Sequence, residues 1–207
     1  MNGFDFLAQA YRATNPNFDG RATVQVLWDK ETRRIVNNSE DGICRMFDGA
    51  FRAFATRDAR LFPNDITAEQ AELSGFIYQR VNNGVYRAGF ATRQAVYERA
   101  AHKLFAALEG LESRLTTSRY LFGHRIVESD WRLFCTLIRF DLVYYIHFKC
   151  SLRRIVDFPS LQGDMTDLYQ QPGIAETVNV EHIKRHYYLT HEAIDPRISS
   201  PSARSST

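Results

Sequence analysis

From Thr67 to Tyr187 the chain carries one kind of signal: apolar residues at helical spacing, separated by caps and breakers. Thr67-Ala68-Glu69-Gln70 has the pattern of a capping box, and Leu73, Phe76, Ile77 and Val81 follow on one face. Asn82-Asn83-Gly84 should end or kink that helix. Thr92 is placed to cap a long helix whose stripe is Val96, Ala100, Leu104, Leu108, Leu111 and Leu115. Glu128 to Tyr145 predicts another. Its apolar positions (Trp131, Phe134, Leu137, Ile138, Leu142, Tyr145) cover so much surface that it should be central and buried. Ser160 should cap a short helix that stops at Gln171-Pro172-Gly173, and Asn179 a last one through Ile183 and Tyr187.

The chain ahead of Thr67 reads differently. Phe4, Leu7, Ala10 and Tyr11 sit at helical spacing. Thr23 to Trp28 is rich in β-branched and aromatic residues, and after a polar turn Arg34-Ile35-Val36 can return as a second strand. Asn38 or Ser39 can cap a following helix with the stripe Ile43, Phe47, Ala50, Phe51 and Phe54. The order predicts a mainly α protein: a partial α/β piece over 1–55, a linker over 56–66, an all-α domain over 67–196 and a disordered tail over 197–207. A two-stranded hairpin is marginal alone, so its sheet edge should be poorly covered.

A chain of 207 residues with 44% hydrophobic and 24% charged residues can bury a core, which argues against a disordered polymer. A net charge of +2 gives no reason to expect nucleic acid or an anionic membrane as partner. No run of about 18 apolar residues could span a bilayer. The first residues lack a basic region and a long apolar run, so they do not read as a signal peptide. Three cysteines at irregular spacing make no disulfide framework, which points to a reducing, cytoplasmic setting. Cys44 and Cys135 fall in or beside apolar stripes, where buried, inert thiols are expected. His182 and His186 have i, i+4 spacing but no intervening Glu of a zinc motif, so no metal site is expected.

Three segments carry more than composition does: Thr23-Val24-Gln25-Val26-Leu27-Trp28-Asp29, Val81-Asn82-Asn83-Gly84-Val85-Tyr86-Arg87-Ala88-Gly89-Phe90, and Pro172-Gly173-Ile174-Ala175-Glu176-Thr177-Val178-Asn179. Arg139 to Cys150 and Tyr169 to Tyr187 extend the pattern. In this order and spacing they resemble the glutathionyl-hydroquinone reductases, the Xi-class, omega-like glutathione transferases, over most of the chain. The resemblance implies a glutathione transferase C-terminal-like all-α domain preceded by a partial thioredoxin-like remnant. It implies glutathione as co-substrate and a glutathione-dependent reduction of glutathionyl-(hydro)quinones. In that family a thiolate of a Cys-Pro-Trp motif attacks the conjugate's sulfur. The sequence contains no Cys-Pro, so by resemblance it lacks the catalytic residue, and the activity is expected to be impaired or lost.

The glutathione-binding positions implied by the family are Val24, Gln25, Ser39 and Glu40, a degenerate set. Gln25 stands where the family has a cis proline, and a non-proline residue costs about 3–4 kcal/mol in cis, so the Val24–Gln25 bond should be trans. Ser39-Glu40 reverses the family's Glu-Ser pair, so a carboxylate would face the ligand's own carboxylate. Weak glutathione binding follows. Tyr86 and Tyr187 fall on the family's hydroquinone-pocket tyrosines, whose hydroxyls bond a phenolic oxygen. Asp130 of the family's helix-start box remains, but Val127 replaces the capping hydroxyl. A small aromatic or quinone ligand and a homodimer are the partners this reading allows. The alternative is a non-catalytic, transferase-like binding or dimerisation module.

Overall fold

A computed structural model describes residues 3–56, 58–191, 193 and 194. The chain divides between Phe62 and Pro63 into two compact units. The expected tail over 197–207 lies outside the described residues.

In the first unit α1 (Leu7–Thr14) precedes a hairpin of β1 (Leu27–Asp29) and β2 (Arg34–Asn37), and α2 (Glu40–Asp48) follows. The strands are antiparallel, with Trp28 opposite Ile35 and an irregularity between Leu27 and Trp28. The free edge is less bare than the sequence suggests. Thr14 Oγ1 accepts a hydrogen bond from Ile35 N at 2.8 Å, so α1 covers part of β2. Ser39 caps α2, accepting from Gly42 N at 3.2 Å. That helix ends at Asp48, so Ala50, Phe51 and Phe54 do not extend its stripe; a 3₁₀ turn, Arg52–Phe54, takes over.

The second unit is helical. It comprises α3 (Thr67–Ile77), α4 (Asn83–Gly89), α5 (Gln94–Leu115), α6 (Glu128–Arg139), α7 (Pro159–Tyr169) and α8 (Val180–Thr190). Ile77, Val81, Val85, Leu104, Leu108, Leu133 and Leu137 form the centre of one core, each almost wholly buried. Among the described residues no helix is long and apolar enough to cross a membrane.

Two π turns interrupt this unit. One, Tyr78–Asn82, joins α3 to α4; the other, Phe140–Tyr144, follows α6. Asn82 donates through Nδ2 to Arg132 O at 2.9 Å and to Thr136 Oγ1 at 2.6 Å, tying the first turn to α6. The expected break at Asn82-Asn83-Gly84 is therefore a change of pitch within a continuing helix.

Several expected caps are not made. Thr67 is already helical, because the 3₁₀ turn Asn64–Ile66 precedes it; its hydroxyl donates back to Pro63 O and Asn64 O. Arg93, not Thr92, occupies the cap of α5. Ser160 does not cap α7: Pro159 opens that helix, and the Glu112 carboxylate on α5 accepts from Ser160 N at 2.9 Å and Leu161 N at 2.8 Å. Asn179 does cap α8, accepting from His182 N at 2.9 Å. At α6 the box is half made, since Val127 has no side-chain acceptor. Asp130 takes Val127 N and Leu121 N, both at 2.8 Å.

Candidate functional site

The second unit gathers three tyrosines. Tyr86 lies on α4 just after the first π turn, Tyr144 ends the second π turn, and Tyr187 lies on α8. The Tyr187 hydroxyl is 2.6 Å from that of Tyr86 and 2.7 Å from that of Tyr144. Tyr187 is thus the middle of a three-hydroxyl chain. Exposure falls along it, from 37% at Tyr86 to 5% at Tyr187 and 2% at Tyr144. Burial, first of all, holds the Tyr144 and Tyr187 phenols well above the ordinary tyrosine value, so both stay neutral near pH 7.

Phe148 sits beneath all three rings. Its ring centre is 5.1 Å from Tyr86, 5.2 Å from Tyr144 and 5.8 Å from Tyr187. It reaches that place because residue 89 is glycine. A Cβ on Gly89 would lie 2.5 Å from Phe148 Cδ1 and 2.8 Å from its Cβ. His191 adds an edge to the cluster, 5.2 Å from the Tyr187 ring and 5.4 Å from Phe90. Burial first, then the neighbouring His147 and His186, push its imidazole below the ordinary value.

The sequence reading named Tyr86 and Tyr187, and their hydroxyls do meet. It missed Tyr144, although that residue lies in the Arg139 to Cys150 segment that carried the resemblance. Helical spacing pointed to Leu142 and Tyr145, which are half-buried, whereas Val143 and Tyr144 are buried. The π turn adds one residue to the helical phase, so the interior position moves by one.

In the first unit Val24, Gln25, Ser39 and Glu40 are all exposed. The Val24–Gln25 bond is cis, which corrects the expectation of trans. That expectation weighed the isolated bond only, outside the folded unit; here Tyr11, read from sequence only as part of the apolar face of α1, bonds the preceding residue. Its hydroxyl donates to Thr23 O at 2.8 Å and accepts from Asn38 Nδ2 at 3.3 Å. One side chain therefore ties the residue before Val24-Gln25 to the residue before Ser39-Glu40.

The cysteines need a second correction. Cys150 is buried, and burial pushes its thiol up to about 12. Cys135, however, is exposed and Cys44 half-buried. Cys135 sits on the outer face of α6, between the inward-facing Phe134 and Thr136. His182 and His186 are both exposed on α8.

Comparison with known proteins places this architecture. Residues 94–163 match the family model described as "Glutathione S-transferase, C-terminal domain". The chain is 48% identical over 192 residues to glutathionyl-hydroquinone reductase YqjG of Escherichia coli K12, covering 93% of this chain and 58% of YqjG. The glutathione-bound structure of YqjG superposes with a TM-score of 0.90 over 92% of this chain and 62% of that one. Glutathione transferase Xi 1 from Trametes versicolor, 42% identical, superposes with a TM-score of 0.92 over 97% of this chain and 70% of that one. The chain belongs to the Xi-class glutathione transferases, the family of the glutathionyl-hydroquinone reductases. It spans about three fifths of the length of the curated relatives it matches.

Proposed function

We propose that this chain provides the ligand-holding part of a glutathionyl-hydroquinone reductase, a protein that reduces glutathionyl-(hydro)quinones at the expense of glutathione. The observation that carries the reading is the Tyr86–Tyr187–Tyr144 hydroxyl chain above Phe148. Neutral phenols bond a ligand's phenolic oxygen while the rings contact its aromatic face. The likeness to a glutathione-bound relative supports glutathione as co-substrate, held near Val24, Gln25, Ser39 and Glu40. Binding there is weak on this reading. Glu40 opposes the ligand's carboxylate, and the Ser39 hydroxyl already caps α2. A cytoplasmic setting and a homodimer complete the proposal.

The residues in hand offer no suitable nucleophile. The reaction needs a thiolate with a lowered pKa, held at a helix N-terminus. Cys150 is buried with its thiol raised, and Cys135 lies in the body of α6. Cys44 lies beyond the first turn of α2, a turn that carries Glu40 and Asp41. These 207 residues on their own should therefore bind ligand with little or no turnover; the alternative reading is a non-catalytic, transferase-like module. Hydroquinone release from a glutathionyl-hydroquinone with excess glutathione is the test. Turnover that disappears in a Cys44/Cys135/Cys150 triple serine variant would place the nucleophile among these three and overturn the non-catalytic reading.

A further inference from the structure

The seam between α4 and α5 is a groove of about 670 Å³ with an unusual charge. Along α4 and the residue just past its end the wall is Asn83, Tyr86, Arg87 and Phe90; on α5 it is Val96, Arg99, Ala100 and Lys103. Both sets follow the i, i+3, i+4, i+7 spacing of a helix face, so two faces meet along one line. Arg80 and Arg93 complete the rim, which makes five cations around one groove.

Elsewhere in this unit four arginines are paired with acids: Arg119 with Asp167, Arg125 with Asp65, Arg132 with Glu128 and Arg154 with Asp157. Around the groove they are not. Among the described residues the contact of Arg87 is a backbone one, to Gln79 O at 3.0 Å, and no acid pairs with any of the five. Arg99 and Lys103 are i, i+4 neighbours of like charge, an arrangement that costs helix stability. Such a concentration of one sign draws an anion. The walls also carry two nearly parallel rings, Tyr86 and Phe90, 4° apart in plane. Tyr86 belongs both to the groove and to the hydroxyl chain.

We infer that the groove receives an anionic substituent of the aromatic ligand whose hydroxyl the tyrosines hold. The ligand class is an aromatic diol bearing a carboxylate or sulfonate. The inference rests on the proposed hydroquinone site and adds to it a preference set by Arg99, Lys103 and their neighbours. An anion met by exposed guanidinium and ammonium groups gains a modest advantage, about fivefold in affinity, which added salt reduces.

The test is calorimetric titration of the full chain with hydroquinone and with 2,5-dihydroxybenzenesulfonate, which share a ring and differ by one anionic group. The sulfonate should bind about fivefold more tightly at low salt. In Arg99→Gln/Lys103→Gln the ratio should fall to near one, while Arg99→Lys keeps it. Tyr187→Phe should weaken both ligands. Equal affinities for the two, with the Tyr187 dependence intact, would overturn the inference and leave the hydroquinone site standing. A sulfonate preference that survives the double variant would also overturn it. Hydroquinone binding indifferent to Tyr187→Phe would instead defeat the site on which the inference rests.

Discussion

The hydroxyl of Tyr11 donates to the carbonyl of Thr23 at 2.8 Å, and through this bond α1 holds the segment that leads into the hairpin. Tyr11 is buried, but Thr23 and Asn38 are exposed, so water can replace part of what its hydroxyl gives them. Tyr11→Phe should cost about 0.5–1.5 kcal/mol, the net range for a hydrogen bond whose partners can turn to water. Urea denaturation measures it. If Val24-Gln25 and Ser39-Glu40 hold glutathione, its affinity should fall in the same variant, and an unchanged affinity would separate Tyr11 from that role.

The three tyrosines should not be equivalent. Tyr187→Phe removes the middle hydroxyl and strands that of Tyr144, which is 2% exposed. A cost of about 1–3 kcal/mol follows, together with weaker hydroquinone binding. Tyr86→Phe leaves the Tyr187–Tyr144 bond in place and removes a hydroxyl at a more exposed position. Its stability cost should be smaller while its effect on binding remains. Thermal denaturation and titration of both variants give the comparison, and equal stability losses would contradict the ordering.

Gly89→Ala should disturb the site from below. The new methyl meets the root of the Phe148 side chain, not a flexible end, so ring and helix must both shift. Overpacking of this kind costs about 1–3 kcal/mol. Phe148→Leu in the same chain should recover part of the loss, and a double-variant cycle showing no coupling would count against the contact.

The stability that two buried carboxyls contribute should fall as pH rises from about 4 to about 8, while His191, lowered by burial, acts in the opposite sense. Asp164 is buried on α7, and neither of its carboxyl oxygens has a hydrogen-bond partner among the described residues. Burial first, then the charges of Asp130 and Asp167, push its carboxyl from 3.8 to about 8. Asp130, raised mainly by burial to about 6, acts in the lower part of the window. A carboxyl raised in the folded state stabilises fully below its unfolded pKa, and that contribution disappears as pH passes the folded one. Asp164→Asn should flatten the fall, as read by urea midpoints at pH 5 and 8. A slope equal to that of the parent chain would show that Asp164 does not titrate in this range.

Much of this arrangement was legible because periodicity and local caps are local properties. Leu104, Leu108 and Leu111 announce α5, and Asn179 announces the start of α8, each within a few residues. The resemblance supplied Tyr86 and Tyr187, which lie 101 residues apart and which no periodicity would join. What stayed hidden depends on contacts distant in the chain. Glu112 replaces the expected Ser160 cap from another helix. Thr67 loses its capping position to a preceding turn. Tyr144 is masked by a π turn, and the Tyr11 bridge requires α1 to lie against the segments it joins.

A row of hydroxyls has a polarity, since each proton points one way along it. If Tyr86 gave its proton inward to Tyr187, and Tyr187 to Tyr144, the Tyr144 proton would end in the core, where no further acceptor meets it among the described residues. The opposite sense leaves nothing stranded. Tyr144 gives to Tyr187, Tyr187 gives to Tyr86, and the outermost proton faces whatever oxygen arrives. The buried end thus biases the outer end to present a hydrogen in preference to a lone pair. A bare carbonyl or phenolate oxygen matches that orientation directly, whereas a fully protonated hydroxyl must turn its own hydrogen elsewhere.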